Sequence, residues 1–245
     1  MKTSNKLNIS NRELEELKLV SKDYESDYRK LLTGYPIQYL IGYVNFYGYK
    51  ININEDVLIP RYETELLVEK TIKYINNIFN KRVNILDIGT GSGCISIALN
   101  KEINANVTAV DISSKALKVA RNNAKINNSK VRFIKSNIYD KINEKYDVII
   151  SNPPYIDTKD KVMDIVDKYE PHEALYASNN GLYFYEEIIK NARKYLNDKF
   201  IIAFEIGYEE GNSIRSIAES YFKDSKILIE KDYSDKDRYL FIINE

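Results

Sequence analysis

Asp-Ile-Gly-Thr-Gly-Ser-Gly, residues 87–93, joins two apolar segments of the chain. Val83–Ile88 leads into it and Cys94–Leu99 follows it, so the pattern predicts a buried strand, a glycine-rich turn and a helix. Glycine permits positive φ angles and lets the backbone approach a ligand closely. A tight turn without a ligand is the alternative, but three alternating glycines would weaken the start of a helix without any structural gain. The segment therefore predicts a ligand-binding loop.

The spacing of these glycines bears on the class of ligand. A dinucleotide-binding loop has the pattern G-x-G-x-x-G, and its third glycine would fall at position 94, which is Cys94. An acidic residue two positions before a G-x-G-x-G run is instead similar to the S-adenosyl-L-methionine (SAM) loop of class I methyltransferases. The resemblance implies SAM as cofactor and S-adenosyl-L-homocysteine as product. It implies that the loop contacts the cofactor through Gly89, Thr90, Gly91, Ser92 and Gly93.

Three further residues fit the same cofactor. Asp111 ends the next predicted strand, 22 residues after Gly89, where a carboxylate can accept hydrogen bonds from ribose hydroxyls. The alternative role for Asp111 is to cap the helix that begins near Ser113. After the third strand, Asn137 and Ile138 stand where such proteins flank the adenine. Asn137 replaces the aspartate that many relatives carry, and its amide oxygen can still accept from the adenine amino group.

Ser-Asn-Pro-Pro-Tyr, residues 151–155, ends the fourth predicted strand. The two prolines fix an extended backbone, so that the Asn152 side chain and the Pro153 carbonyl converge as two acceptors for a planar amino group. Tyr155 offers an aromatic face for stacking. A purely structural turn is the alternative. We assign catalysis to Asn152, Pro153 and Tyr155, substrate binding to these three and Pro154, and a further cofactor contact to Asn152.

Alternating strands and helices predict the fold class beyond residue 82. We expect an α/β fold, a doubly wound, seven-stranded Rossmann-like sheet of the class I methyltransferase type with an antiparallel edge strand. A short polar loop before the last strand, too short for a crossover helix, predicts the antiparallel edge. The predicted strands are Val83–Ile88, Val107–Val110, Val131–Ile134, Tyr146–Ser151, Phe200–Glu205, Ile227–Ile229 and Tyr239–Ile243.

The first third of the chain follows a different pattern. Ser10 and Glu13 form a capping box that opens a helix predicted over residues 10–32. Glycines and a proline interrupt residues 34–42, and residues 43–59 alternate as a β-hairpin does. We therefore expect three regions. They are a short helical substrate-docking region (1–42), a β-hairpin linker (43–61) and a catalytic domain (62–245).

Composition excludes several functional classes. The 245 residues include 36 Lys and Arg and 36 Asp and Glu, a net charge of +0, which does not favour a nucleic-acid-coating protein. One cysteine and one histidine argue against disulfides, a zinc cluster or a Ser-His-Asp triad, so we expect no metal. Residues 1–9 lack the apolar core of a signal peptide, and no segment approaches 18 apolar residues. A cytoplasmic protein without membrane contact is expected.

Together these motifs resemble one family, the bacterial protein-(glutamine-N5) methyltransferases of peptide chain release factors (the PrmC/HemK family). The resemblance spans residues 34–243. In the segment Val57–Glu65, Tyr62 stands where the family usually has proline. The other matching segments are Pro36–Gly42, Phe46–Gly48, Gly89–Gly93, Asn152–Tyr155, Glu170-Pro171, Ala174-Leu175, Asn180–Leu182 and Phe204–Gly207.

This resemblance implies methylation of the glutamine side-chain amide nitrogen in the Gly-Gly-Gln motif of class I release factors. It also implies an N-terminal domain of about five helices, whereas only 33 residues precede the matching region here, which begins at residue 34. Three alternatives remain open. They are glutamine methylation of a ribosomal protein, methylation of adenine or guanine amino groups in nucleic acid, and a non-catalytic SAM-binding regulator. The second predicts a basic patch or a target-recognition domain, and we expect no direct nucleic-acid binding.

Overall fold

A computed structural model describes residues 9–160 and 163–245. Its helices are α1 (Asn11–Val20), α2 (Tyr24–Leu32), α3 (Ile37–Ile41), α4 (Tyr62–Ile78), α5 (Cys94–Glu102), α6 (Ser114–Ile126), α7 (Asp164–Tyr169), α8 (Tyr183–Ala192) and α9 (Gly211–Tyr221). Its strands are β1 (Tyr43–Phe46), β2 (Tyr49–Asn52), β3 (Val83–Ile88), β4 (Ala105–Asp111), β5 (Val131–Lys135), β6 (Tyr146–Ser151), β7 (Ile156–Asp157), β8 (Tyr176–Ala177), β9 (Leu196–Glu205), β10 (Lys226–Lys231) and β11 (Asp237–Asn244).

Seven strands form the central sheet in the order β10-β11-β9-β6-β3-β4-β5. All neighbours are parallel except β11, which runs antiparallel to both β10 and β9. The predicted doubly wound sheet and its antiparallel end are confirmed. The order reverses at β3, which has β4 on one side and β6 on the other, and such a switch point opens a crevice at the carboxyl ends of the strands.

Successive residues of each strand enter two different cores, because side chains alternate across a sheet. Ile85 and Val148 join the cluster that also holds α4, α5 and the hairpin. Leu86 and Ile149 join the cluster that holds α8 and α9. Both faces of the sheet are thus covered, which rigidly fixes the strand ends that carry the predicted motifs.

The N-terminal helix predicted over residues 10–32 is wrong as a continuous element. The Ser10–Glu13 capping box is present, but α1 ends at Val20, because Ser21 is extended and Asp23 caps a new helix by accepting from the Ser26 N–H at 3.1 Å. The expected absence of a signal peptide concerns residues 1–9, of which 1–8 lie outside the described part.

The predicted hairpin is confirmed as β1 and β2, and one buried side chain fixes it to the main domain. Asn123 of α6 accepts from the Asn52 N–H and donates to the Asn52 carbonyl, both at 2.9 Å. Its Nδ2 also donates to the Ser92 carbonyl of the glycine loop at 2.9 Å. The hairpin and the glycine loop are therefore held in one frame.

Sequence periodicity misplaced several boundaries and missed several short elements; for example, the predicted hairpin extends to residue 59, whereas β2 ends at Asn52. The strand predicted to begin at Phe200 begins instead at Leu196, which pairs with Tyr146. Residues 197–199 are polar, so the first part of this strand lacks the apolar pattern by which a buried strand is predicted. The segment after the Pro-Pro turn contains α7 and the two-residue strands β7 and β8, which are too short for a periodic signal. In the described ranges, no helix is long and apolar enough to cross a membrane.

Candidate functional site

A cleft of about 890 Å³ opens at the carboxyl ends of β3, β4, β5 and β6. Four of the segments that line it come directly after a strand, as the switch point requires. Residues 56–58, residues of the segment 171–174 and residues of α8 line it as well. The predicted site residues that line it are Gly89, Gly91, Asp111, Asn137, Ile138, Asn152, Pro153 and Pro154.

Gly89 and Gly91 present bare backbone to this cleft. Their φ angles are +74° and +53°, and a Cβ on either would meet no atom within 4 Å. Open space therefore lies where side chains would project, as a backbone cradle for a ligand requires. Gly93 has another role. A Cβ there would come within 3.0 Å of the Ala120 Cβ, so Gly93 allows α5 and α6 to approach each other.

Thr90 and Ser92 are buried and do not line the cleft. The Thr90 and Ser96 hydroxyls both donate to Asp87 Oδ2 at 2.6 Å, so these side chains hold the loop from behind. The other oxygen, Asp87 Oδ1, is buried and has no hydrogen-bond partner among the residues described. Burial raises the pKa of Asp87 to about 6. A partner with a positive charge, such as the ammonium of an amino acid, would satisfy this oxygen.

The Asp111 carboxylate links the loop after β3 to the loop after β4, because it accepts a backbone hydrogen bond from each. Its Oδ2 accepts from the Gly91 N–H and its Oδ1 from the Ser113 N–H, both at 2.8 Å. Ser113, not Asp111, caps α6, because its hydroxyl accepts from the Ala116 N–H at 3.2 Å. Burial raises the pKa of Asp111, while the backbone donors oppose the rise. Each oxygen keeps a lone pair, so the carboxylate can still accept from a ligand in the cleft.

Asn137 and Ile138 form the wall at the end of β5. Ile138 has a φ of +46°, and its carbonyl accepts from the Ser136 hydroxyl at 3.2 Å. The Asn137 carbonyl accepts from the Asp140 N–H at 3.0 Å, which closes a turn, and the Asn137 side chain is exposed at the cleft. An apolar side chain beside an exposed amide suits a flat heterocycle with a polar edge.

A second cavity, of about 540 Å³, lies against the first. Asn152 and Pro153 line both cavities, as do Leu58 and Ala174, so these residues form a shared wall. Tyr155 lines only the second cavity. The Asn-Pro-Pro-Tyr segment therefore stands between two spaces, one on the side of the glycine loop and one on the side of Tyr155.

Two residues that the sequence motifs did not single out contact Asn152. Its Nδ2 donates to Thr64 Oγ1 at 3.2 Å, and the Thr64 hydroxyl donates to Glu205 Oε2 at 2.7 Å. Thr64 lies in the first turn of α4 and Glu205 ends β9, and both are buried. Burial raises the pKa of Glu205 to about 7, and the hydrogen bond from Thr64 opposes the rise. Glu205 also lines the second cavity.

Tyr155 is fixed by a close backbone contact. A Cβ on Gly181, whose φ is +80°, would lie 2.1 Å from the Tyr155 carbonyl oxygen. Only glycine allows this approach, which explains the Asn-Gly-Leu segment at 180–182. Burial raises the pKa of Tyr155 to about 12, so its hydroxyl stays protonated at neutral pH.

The segment before α4 closes the second cavity. The Arg61 guanidinium forms an ion pair with buried Glu170, which also accepts from the Ile59 N–H at 3.2 Å. This joins the Ile-Pro-Arg segment to the Glu-Pro segment, which are far apart in the chain. Tyr62 follows as the first residue of α4, the position that suits proline, and its exposed ring stacks on Tyr233.

No metal centre is evident in the part of the chain that the structure covers. Across 9–160 and 163–245, no three His, Cys, Asp or Glu side chains are grouped so that they could hold a metal ion. Free Cys94 is buried, and burial raises its pKa. The polar side chains that line the two cavities are amides, hydroxyls, carboxylates and the Arg61 guanidinium.

The fold resembles that of a solved methyltransferase. A methyltransferase from Pyrococcus furiosus superposes with a TM-score of 0.60 at 22% identity, covering 96% of this chain and 98% of that one. The model of the methyltransferase small domain family matches residues 63–181, which contain the glycine loop and the Asn-Pro-Pro-Tyr segment.

Proteins similar in sequence identify the family more closely than the shared fold does. A release factor glutamine methyltransferase of Lactococcus lactis is 40% identical over 96% of this chain and 84% of its own length. One from Fusobacterium nucleatum is 44% identical over 84% of this chain. The match spans 59% of that relative's length. At this identity and coverage, the chain belongs to the family of release factor glutamine methyltransferases.

Proposed function

We propose that the protein transfers a methyl group from SAM to the side-chain amide nitrogen of the glutamine in the Gly-Gly-Gln motif of class I peptide chain release factors. The observation that carries this is the shared wall of Asn152 and Pro153 between the two cavities. A methyl donor and a methyl acceptor must meet at one point while entering from different sides. The relatives from Lactococcus lactis and Fusobacterium nucleatum are named release factor glutamine methyltransferases.

The larger cleft fits SAM. The bare backbone of Gly89 and Gly91 would lie along the cofactor, Asp111 would accept from its ribose, and Asn137 and Ile138 would flank its adenine. Asp87, with its unpartnered buried oxygen, has the charge to favour the methionyl ammonium. When bound, SAM supplies a methyl group activated by a positively charged sulfur.

The chain's own groups then orient the acceptor. A glutamine amide is a poor nucleophile, because its nitrogen lone pair is delocalised. Asn152 Oδ1 and the Pro153 carbonyl can accept its two N–H hydrogens, which localises electron density on nitrogen and fixes its direction. The nitrogen would gain a bond to the methyl carbon while the bond from that carbon to sulfur breaks, so that S-adenosyl-L-homocysteine leaves and the nitrogen loses one proton to solvent. This orientation needs neither a metal nor a histidine.

Substrate choice rests on surfaces outside the two cavities. We propose that residues 1–42 dock the release factor, with the hairpin of residues 43–61 joining them to the catalytic domain at 62–245. Leu17, Leu31 and Ile37 form a separate small core for the helices of this region. We also propose that the enzyme acts in the cytoplasm, where release factors work, without binding membrane or nucleic acid directly. The balanced charge of the chain supports the last point.

Transfer of labelled methyl from SAM tests this function. Purified release factor should become labelled on its Gly-Gly-Gln glutamine, with or without EDTA, whereas ribosomal proteins, tRNA, rRNA and DNA should not. A release factor with Gly-Gly-Ala in place of the motif is the matched control. Label on nucleic acid or on a ribosomal protein, but not on release factor, would contradict the proposal. Loss of transfer in EDTA would contradict its metal independence.

Asp111→Ala should weaken SAM binding by roughly 1.5–3 kcal/mol, the loss associated with a charged hydrogen bond. The carboxylate both faces the cleft and holds the Gly91 backbone, so its removal also loosens the loop. Isothermal titration calorimetry measures the affinity. Asp140→Ala, which removes an exposed carboxylate from the neighbouring turn, should leave affinity unchanged. Equal SAM affinity in the Asp111 variant and the wild type would exclude the ribose contact.

A further inference from the structure

A buried carboxylate ends the hydrogen-bond chain that begins at Asn152. Asn152 Nδ2 donates to Thr64 Oγ1 at 3.2 Å, and the Thr64 hydroxyl donates to Glu205 Oε2 at 2.7 Å. The methyl-transfer chemistry described above makes no use of Thr64 or Glu205. Burying an ionised carboxylate costs free energy unless partners compensate its charge. Glu205 is buried beside the second cavity, which indicates a specific role for its charge there.

The direction of this chain follows from the charge at its end. An ionised carboxylate can only accept hydrogen bonds, so the single hydroxyl proton of Thr64 must point to Glu205. Thr64 Oγ1 can then only accept from the other side, which forces Asn152 to turn its Nδ2 toward Thr64. The Asn152 Oδ1 atom is left for the acceptor cavity, where the amino group of a substrate needs an acceptor.

We propose that Glu205 and Thr64 are positioning residues that hold the Asn152 amide with its oxygen toward the acceptor glutamine. This role rests on the proposed methyl transfer. Protonation of Glu205 removes the constraint. A neutral carboxyl can donate to Thr64, whose hydroxyl can then donate to Asn152, and the amide can turn its own N–H groups toward those of the substrate. Donor would then face donor, and the acceptor nitrogen would lose its orientation.

The surroundings of Glu205 place this change near neutral pH. Burial raises its pKa to about 7, with Arg238 favouring the ionised form and Glu63 opposing it. The other titratable groups that interact with Glu205 or line the same cavity are Tyr155, Tyr185, Tyr239, Cys94 and Arg61. Because the ionised form orients Asn152, kcat should rise as pH increases through about 7.

Variants of Thr64 test the middle of the chain. Thr64→Val should lower kcat about tenfold with little change in KM, because the Asn152 amide loses its fixed partner. Thr64→Ser, which restores the hydroxyl, should recover most of the activity. Thr71→Val is the matched control, since Thr71 is a buried threonine of the same helix whose hydroxyl donates to the Leu67 carbonyl. Equal kcat in the Thr64→Val and Thr71→Val variants would overturn the proposal.

Glu205→Gln tests the end of the chain. The variant should lose the rise of kcat around pH 7, because its amide no longer titrates. It should unfold at a temperature no lower than the wild type at pH 8, because the cost of a buried charge is removed. Glu230→Gln, at a half-buried carboxylate that pairs with Lys70, should keep the wild-type pH profile. A wild-type kcat that is flat between pH 6 and 8 would overturn the proposal.

A measurement without substrate separates this inference from the proposed function. The Asn152 side-chain ¹⁵N–¹H resonances, assigned with Asn152→Ser, should titrate with a midpoint near 7 in the wild type and not in Glu205→Gln. Titrating resonances in an enzyme that does not methylate release factor would refute the proposed function and leave the hydrogen-bond chain supported. Resonances that do not titrate in an active enzyme would refute the hydrogen-bond chain alone.

Discussion

Asn152→Ala should lower kcat by on the order of 10²–10³, the effect of removing one preorganised polar contact from a reacting group. In the proposed reaction, the Asn152 amide oxygen accepts from a substrate N–H that becomes more acidic as its nitrogen is alkylated. The hydrogen bond therefore strengthens along the reaction and lowers the barrier, rather than merely binding the substrate. Because release factor is proposed to dock on residues 1–42, far from this side chain, KM for release factor should change little.

Single-turnover kinetics at saturating SAM measure this effect directly. SAM affinity should change much less than kcat, although Asn152 also lines the cofactor cleft. The control is Asn106→Ala. Asn106 is an exposed residue of β4 at the end of the sheet opposite the cleft, so this variant should have the kcat of the wild type. Near wild-type kcat in Asn152→Ala would mean that other groups orient the acceptor amide, and the proposed chemistry would be wrong.

Local motifs made the cofactor cleft predictable. The strand, the glycine-rich turn and the helix are contiguous in sequence, so periodicity and glycine spacing indicate both the fold and the cleft. The motif does not tell which of its residues reach the cleft, however. Gly89 and Gly91 line the cleft, Thr90 and Ser92 are buried, and Gly93 lies against Ala120 of α6. Spacing along a chain does not tell which face of a loop a side chain occupies.

Contacts between distant segments were not predictable in this way. Thr64 lies 88 residues before Asn152 and 141 before Glu205, yet all three form one chain of hydrogen bonds. Asn123 reaches Asn52 across 71 residues. Each of these polar residues, taken alone, is typical of a surface position, and only tertiary packing buries it. The acceptor side of the site could therefore be located from the sequence but not its supporting residues.

The second large effect is expected at Gly181, a residue that faces neither cavity. Gly181→Ala should lower kcat by about 10²-fold, the scale of a misplacement of about 1 Å in a reacting group. The new methyl group would lie 2.1 Å from the Tyr155 carbonyl oxygen, and backbone cannot yield as a flexible side chain can. The Asn-Pro-Pro-Tyr segment would have to shift, while the glycine loop on the other side of the cleft would not.

Gly42→Ala separates this clash from backbone strain. Gly42 has a φ of +83°, close to the +80° of Gly181, but a Cβ on it would meet nothing within 4 Å. Both variants should lose about 1–3 kcal/mol of stability through the strained backbone, as measured by urea unfolding. Only Gly181→Ala should also lose activity, with SAM affinity by calorimetry near that of wild type. If Gly42→Ala lost as much kcat as Gly181→Ala, general destabilisation would account for both, and the Tyr155 contact would have no special role in placing the acceptor.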